Sequence, residues 1–298
     1  MIAIPEAFAA RTIARSGEAG RRWIESLPGR VTELCTAWDL EVEGPAMYGE
    51  WGLVFAVRGP NLPAILKVTW PDEDGTLERA VMALTLWNGR GAVRLVRADV
   101  GRQALLLERL DSAADLSRVG VEEALHVAGA LLRRLAVPAP AEFPSLGAVA
   151  RQISSSLPRR WERQGRPLPP QVVERAADLA RHLAPSVGSL TVNWDIHDGN
   201  VLRAEREPWL VIDPQVVAGD PEYGVAQLLW WRLEEIETRG GVEWALDQVV
   251  NSAGLDAALT RAWTYVRTVD YWLSGQEAGL TIDPPRCARV IERLEQVG

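Results

Sequence analysis

Lysine is nearly missing from this chain: of its 32 basic side chains all but one are arginine, and the exception is Lys67. A composition rich in alanine, arginine, glycine, valine and tryptophan is what GC-rich codons produce, so the scarcity itself needs no functional reason. The surviving lysine does carry information, because a compact ammonium and a planar guanidinium are not equivalent at a site shaped for a point charge. Cysteine is scarce as well. Cys35 and Cys287 stand far apart without metal-type spacing, which argues against a disulfide framework and fits a reducing compartment. No apolar run reaches the roughly 18 residues that a membrane span needs. Pro5 and Glu6 interrupt the N-terminal segment where a signal core would lie, so no membrane partner and a cytoplasmic location are expected. Positive charge is in deficit: 40 acidic against 32 basic residues leave a formal net charge of −8, which repels a phosphate backbone and argues against nucleic acid as a partner. Phenylalanine is rare, and the 13 tryptophans that outnumber the three phenylalanines are read mainly as core filling.

What is present is material for a large core. With 298 residues, 47% of them hydrophobic, the chain is expected to form one large or two closely packed domains. A helical pattern runs from Ala9 to Leu27, is broken by Pro28-Gly29 and resumes briefly to Trp38, an N-terminal helical cap. From Leu40 to Glu108 the period shortens. The runs Gly52 to Arg58, Ala64 to Trp70, Val93 to Ala98 and Ala104 to Leu107 read as strands separated by turns such as Arg58-Gly59-Pro60-Asn61, and one helix, about Gly75 to Trp87, interrupts them. After Asp111 helical spacing dominates, over Val121 to Leu135, Val172 to Leu183, Tyr223 to Glu237, Trp263 to Leu273 and Pro285 to Val297, around a single β-type island from Leu190 to Ile212. There is no internal repeat and no low-complexity tract. The expectation is an α+β architecture, a β-sheet lobe over 1–110 and a mainly helical lobe over 111–298 with one hairpin, hinged at Leu107 to Asp111.

The island carries the chemistry. Asn200 begins a short strand, Glu205 to Pro208 turns, and Trp209 to Ile212 returns. A four-residue strand travels about 13 Å out and its partner the same distance back, so Asp213 arrives beside Asn200. An amide oxygen and a carboxylate meeting at one point are hard ligands suited to magnesium, which fills its remaining positions with water and phosphate. Asp195, five residues before Asn200, is then set to orient a hydroxyl and accept its proton, as the Asp of a kinase catalytic loop does five residues before an Asn. Lys67 lies in Ala64-Ile65-Leu66-Lys67-Val68, close to the Val-Ala-Ile-Lys strand of kinases. Alternation puts Ile65 and Lys67 on one face, Ile65 to roof an adenine and Lys67 to reach the α- and β-phosphates, with Glu78 as the candidate helix carboxylate that steadies it.

The segments Ile65 to Trp70, Gly89 to Leu95, Leu105 to Asp111, Asp195 to Leu202, Arg206 to Pro214 and Gly219-Asp220-Pro221 fall in an order that resembles the aminoglycoside and hydroxyurea antibiotic-resistance kinases of the aminoglycoside phosphotransferase superfamily. The resemblance implies a protein-kinase-like two-lobed fold. It further implies ATP and magnesium as co-substrates, and transfer of the γ-phosphoryl to a hydroxyl of an antibiotic-like small molecule. Carried over residue by residue, it makes Asp195 the base, Asn200 and Asp213 the metal ligands and Lys67 the phosphate ligand. The backbone of Glu108 and Leu110 would grip the adenine edge, Val54 and Leu202 would close the adenine pocket, and Ile212 belongs with the same nucleotide-binding set. Two departures stand out: Asn193 occupies the place where many relatives have a His two residues before the base, and Ala80 stands near the usual place of the helix Glu.

Other residues invite plainer readings. Asp220 is expected to anchor the catalytic loop by hydrogen bonds, His197 to have a structural or substrate-positioning role, and His126 and His182 to have none. Gly44 to Gly52 is either a phosphate-covering loop or a plain hairpin. Trp230 or Trp231 is a candidate to line the acceptor pocket. Glu234, Glu235, Glu237 and Asp270 form a solvated face unless the acceptor is polycationic, in which case some should converge on it. Competing functions are a metabolic sugar or amino-alcohol kinase, a phosphotransferase for a nucleoside or peptide antibiotic, and a pseudokinase that sequesters a drug or nucleotide. The oligomeric state has no signature in the sequence.

Overall fold

The computed structural model describes residues 2–60, 63–71 and 74–296, so Asn61 of the expected turn and Val297 at the expected end of the last helix lie outside it. The chain divides into two compact units, one formed by Met1–Gly89 with Val93–Leu110, the other by Arg90–Ala92 with Asp111–Gly298.

The first unit opens with α1 (Glu6–Trp38), continues through β1 (Glu41–Val42), β2 (Met47–Tyr48), β3 (Gly52–Arg58) and β4 (Pro63–Thr69) to α2 (Thr76–Trp87), and closes with β5 (Leu95–Asp99) and β6 (Ala104–Glu108). The strands form one antiparallel sheet in the order β1-β3-β4-β6-β5, with β2 also paired to β3. Phe8, Trp23, Leu27, Val31 and Leu34 of α1 pack with Leu53, Phe55, Val57, Leu66, Val68 and Leu106 in a single apolar cluster. Alternation along β4 buries Leu66 and Val68 in that cluster and leaves Ile65 and Lys67 half-buried on the opposite face.

The break expected in α1 is elsewhere. The helix runs through Pro28, and the non-helical residue is Gly17, at φ 55° and ψ −131°. That conformation is closed to residues with a Cβ, and it folds the chain so tightly that a Cβ on Gly20 would meet the Thr12 carbonyl oxygen at 2.6 Å. Pro28 forfeits one hydrogen bond, but Leu27, Val31 and Leu34 around it are fully buried, and burial of that face outweighs the loss.

The second unit contains β7 (Asp111–Asp115), α3 (Val121–Leu135), α4 (Leu146–Arg163), α5 (Pro170–Leu183), β8 (Leu190–Asn193), β9 (Val201–Arg203), β10 (Trp209–Val211), β11 (Val216–Gly219), α6 (Ala226–Trp231), α7 (Leu233–Arg239), α8 (Gly241–Ala253), α9 (Ala257–Glu277) and α10 (Asp283–Gln296). Its strands form two small sheets, β10-β9-β7 and β11-β8, rather than one hairpin alone, because Asp111–Asp115 adds to the β9–β10 hairpin and Val216–Gly219 pairs separately with β8. The helix expected over Tyr223 to Glu237 is a 3-10 turn followed by α6 and α7, divided at Arg232, whose φ of −122° is not helical. Neither α4 nor α8 was expected.

Candidate active site

In the second unit a loop leaves β8 at Asn193. This side chain is buried, and its Oδ1 accepts from the N–H of Asp195 at 3.2 Å and from that of Gln215 at 3.1 Å, tying the start of the loop to the approach of β11. The departure at this position thus has a structural task. Farther on, Asn200 closes a 3-10 turn and donates through Nδ2 to both the carbonyl oxygen and Oδ2 of Asp195, each at 3.0 Å. Both partners are acceptors only, so the amide orientation is determined and Oδ1 is the atom that remains for a ligand.

The hairpin has the expected register. Val201 pairs with Val211 and Leu202 with Leu210, and the N–H of Ile212 donates to the Asn200 carbonyl at 2.8 Å. Asp213, the next residue, is exposed and adopts φ 51°, left-handed for a residue with a side chain and immediately before Pro214. Both circumstances disfavour the conformation, and such strain persists where the surrounding structure imposes it. Leu202 and Ile212 are half-buried beside the hairpin end.

Burial pushes the Asp195 carboxyl above its ordinary value and the nearby Asp213 carboxylate adds to this, while the charges of His197 and Arg267 pull it back. His197 accepts from the Gly199 N–H through Nδ1 at 3.2 Å and stacks on Trp231 with 4.2 Å between ring centres. Burial lowers its pKa despite the neighbouring carboxylates of Asp195 and Asp213, which agrees with a ring nitrogen acting as acceptor. Trp230, by contrast, is fully buried and stacks on Tyr271, so of the two tryptophans it is Trp231 that reaches the loop. Burial raises Asp198 to about 6, opposed by Arg232 at 3.6 Å. Asp220 accepts from the Gly188 N–H at 2.6 Å and from the Trp263 indole at 2.9 Å, anchoring the strand that leads into the loop.

In the first unit, Val54 on β3 lies directly across from Lys67, and Leu107 across from Ile65, so these residues share one sheet face. Glu108 ends β6 with its N–H donated to the Arg94 carbonyl at 2.9 Å, and Leu110 follows as the last residue of the unit. Glu78 is exposed in the first turn of α2, whereas Ala80 is buried. The segment 44–52 is a hairpin through β2 and β3, and α1 grips it from outside: Arg11 donates to the Gly49 carbonyl at 2.5 Å, Arg15 to that of Glu50 at 3.1 Å, and the Arg15 guanidinium lies 3.7 Å over the Trp51 ring.

Four acidic residues of the later helices, Glu234, Glu235, Glu237 and Asp270, are each matched by arginine. Glu234 binds Arg286 at 2.7 Å and Arg289 at 3.2 Å, Glu235 binds Arg232 at 2.6 Å, Glu237 binds Arg289, and Asp270 binds Arg160 at 2.5 Å. Among the described residues no group of three or more His, Cys, Asp or Glu is gathered to hold a metal ion. A magnesium that takes only an amide oxygen and a carboxylate from the protein does not require one. Sequence reasoning missed the pairing of Asp198 with Arg232, which has no local signal.

A β-sheet unit followed by a helical unit with a catalytic-type loop is the fold of the protein-kinase-like phosphotransferases. A solved aminoglycoside phosphotransferase bound to ADP and hygromycin B shares it at a TM-score of 0.61 and 16% identity, over 88% of this chain and 97% of that one. A family model described as aminoglycoside/hydroxyurea antibiotic resistance kinase matches residues 37–278, and the chain belongs to that family. It is 37% identical over 299 residues to hydroxyurea phosphotransferase of Kitasatospora aureofaciens, covering 99% of this chain and 86% of that protein. It is 36% identical over 301 residues to streptomycin 6-kinase of Streptomyces glaucescens, covering 99% and 97%. The chain is accordingly an enzyme, a kinase-type phosphotransferase.

Proposed function

We propose that this enzyme inactivates an antibiotic-like small molecule by transferring the γ-phosphoryl group of ATP to one of its hydroxyls, with Asp195 as the base. The observation that carries this reading is the double hydrogen bond from Asn200 Nδ2 to Asp195, which orients the carboxylate and turns Asn200 Oδ1 outward on the hairpin end that also bears Asp213. Asp195 accepts the hydroxyl proton as the acceptor oxygen bonds to the γ-phosphorus, and the bond from that phosphorus to the β–γ bridging oxygen breaks to release ADP. Asn200 Oδ1 and the Asp213 carboxylate would hold the magnesium, whose charge when bound offsets that of the β- and γ-phosphates. Val54, Ile65, Glu108, Leu110, Leu202 and Ile212 serve the adenine and Lys67 the phosphates, with Glu78 as the lysine's partner.

Streptomycin and hydroxyurea, named for the relatives, are the acceptors to test first. The arginine partners of Glu234, Glu235, Glu237 and Asp270 favour hydroxyurea or another weakly charged acceptor, because these acids are already neutralised and add little pull on a polycation. ADP release measured against both acceptors tests the assignment, and turnover only with a housekeeping metabolite would overturn it. Asp195→Ala should lower turnover by roughly a hundredfold or more with ATP affinity near normal; unchanged turnover would move the base elsewhere.

A further inference from the structure

Asp198 opens the 3-10 turn that ends at Asn200 and is 6% exposed, so its carboxylate stands inside the catalytic-type loop rather than in solvent. Facing it is Arg232, whose Nε lies 3.6 Å from Asp198 Oδ2 and whose side chain is 11% exposed. The same guanidinium donates to the Leu116 carbonyl at 3.2 Å, to the Val119 carbonyl at 3.0 Å and to the two oxygens of Glu235 at 2.8 and 2.6 Å. Arg232 is also the residue at which α6 gives way to α7. Burying a carboxylate is unfavourable, and a neutral side chain of the same shape would avoid the loss of solvation, so the acid needs a reason beyond packing. The turn provides one. The Val201 N–H donates to the Asp198 carbonyl and the Asn200 N–H to that of His197 at 2.9 Å, so Asp198 and Asn200 belong to one short hydrogen-bonded unit.

We propose that Asp198 and Arg232 are positioning residues of the phosphotransfer site, an ion pair that clamps the middle of the loop to the junction of α6 and α7 and so fixes the direction in which Asn200 presents its amide. The proposal rests on the reading of Asn200 as metal ligand and partner of Asp195. The loop has two other fixed points, the Asn193 Oδ1 contacts at its entry and the Ile212 N–H on the Asn200 carbonyl at its exit. Between them Asn200 Nδ2 reaches back to the carbonyl oxygen and Oδ2 of Asp195, a geometry that a turn free to roll about its ends would not keep. Groups that hold a ligand act by removing that freedom, and their loss typically weakens metal affinity or activity by about tenfold or more. Arginine suits the task, because its planar fork, bonded to the turn after β7 and to Glu235, is left a single orientation toward Asp198.

Asp198→Asn tests the clamp. It removes the charge and keeps the shape, and Arg232 retains Glu235 and both carbonyls, so the variant should fold, as a thermal melt establishes. Isothermal titration calorimetry of ADP, in excess magnesium and again in chelator, reads the metal-dependent gain in affinity with no turnover involved. The clamp predicts that this gain and kcat each fall by about tenfold, while ADP affinity in chelator stays within about twofold of the parent. Arg232→Lys, whose ammonium cannot serve Asp198, Glu235 and two carbonyls together, should show the same pattern. Folded variants with both quantities within about twofold of the parent would overturn the clamp. Failure of both variants to fold would overturn it too, by making the pair a requirement of the fold. Asn200→Ala in the same titration separates premise from proposal: an undiminished gain there removes the metal assignment, and a lost gain beside a normal Asp198→Asn removes the clamp alone.

Discussion

Arg160→Met tests whether Asp270 is a structural acid or one left for a cationic acceptor. Arg160, on α4, donates to Asp270 Oδ1 at 2.5 Å, to the Asp270 carbonyl at 3.2 Å, to Ser274 Oγ at 2.6 Å and to Glu277 at 3.3 Å. The two side chains of the central pair are 13% and 24% exposed. Removing one partner of a fully buried pair costs about 3–5 kcal/mol, and two charges about 4 Å apart at an effective dielectric of 20 attract by about 4 kcal/mol. The partial exposure of Asp270 lets water recover some of this, so about 3 kcal/mol is expected. Urea unfolding at pH 7 should show that loss as a lower midpoint with unchanged slope. Adding Asp270→Asn should restore about 2 kcal/mol, because no uncompensated carboxylate then remains. Burial already raises the Asp270 carboxyl, with Arg160 opposing, and losing Arg160 raises it further. A carboxyl whose folded pKa exceeds its unfolded value destabilises the protein above that range, and the penalty fades as pH falls through the folded pKa. The gap between variant and parent should therefore narrow toward pH 4. A cost below about 1 kcal/mol at pH 7, or an Asp270→Asn change that adds to the loss, would refute the reasoning.

Two further outcomes follow from the first unit. Gly17→Ala introduces a Cβ with nothing within 4 Å, so its whole effect is backbone strain, about 1–3 kcal/mol of lost stability in urea unfolding; an unchanged midpoint would contradict the kink at this residue. Replacing Arg11 and Arg15 together by Ala removes the grip of α1 on the 44–52 hairpin and should speed chymotryptic cleavage after the exposed Tyr48 and Trp51, whereas an unaltered rate would mean the hairpin holds itself.

The hairpin carrying Asn200 and Asp213 was legible because its information is local: a strand, a polar turn and a returning strand specify which residues face each other. The face shared by Ile65 and Lys67 was legible for the same reason. Helix α4 was hidden by Ser154-Ser155-Ser156 and Pro158, which read as loop although Leu146, Ala150, Ile153 and Leu157 keep helical spacing and are buried. Pro28 misled in the opposite direction, since a proline looks like a break until the apolar face around it finds a sheet to cover. The pairing of Asp198 with Arg232 was illegible in principle. The two belong to separate elements, and an arginine between helices reads as solvated until carbonyls from another turn close around it. The arginines that neutralise Glu234 and Glu237 come from more than 50 positions away, so the acidic helix face looked free.

A strand bearing the chain's sole ε-amine has a practical use. Amine-directed acylating reagents have one side-chain target here, Lys67, so label beyond that on the α-amine, which its lower pKa lets acylate separately at near-neutral pH, reports on a single side chain.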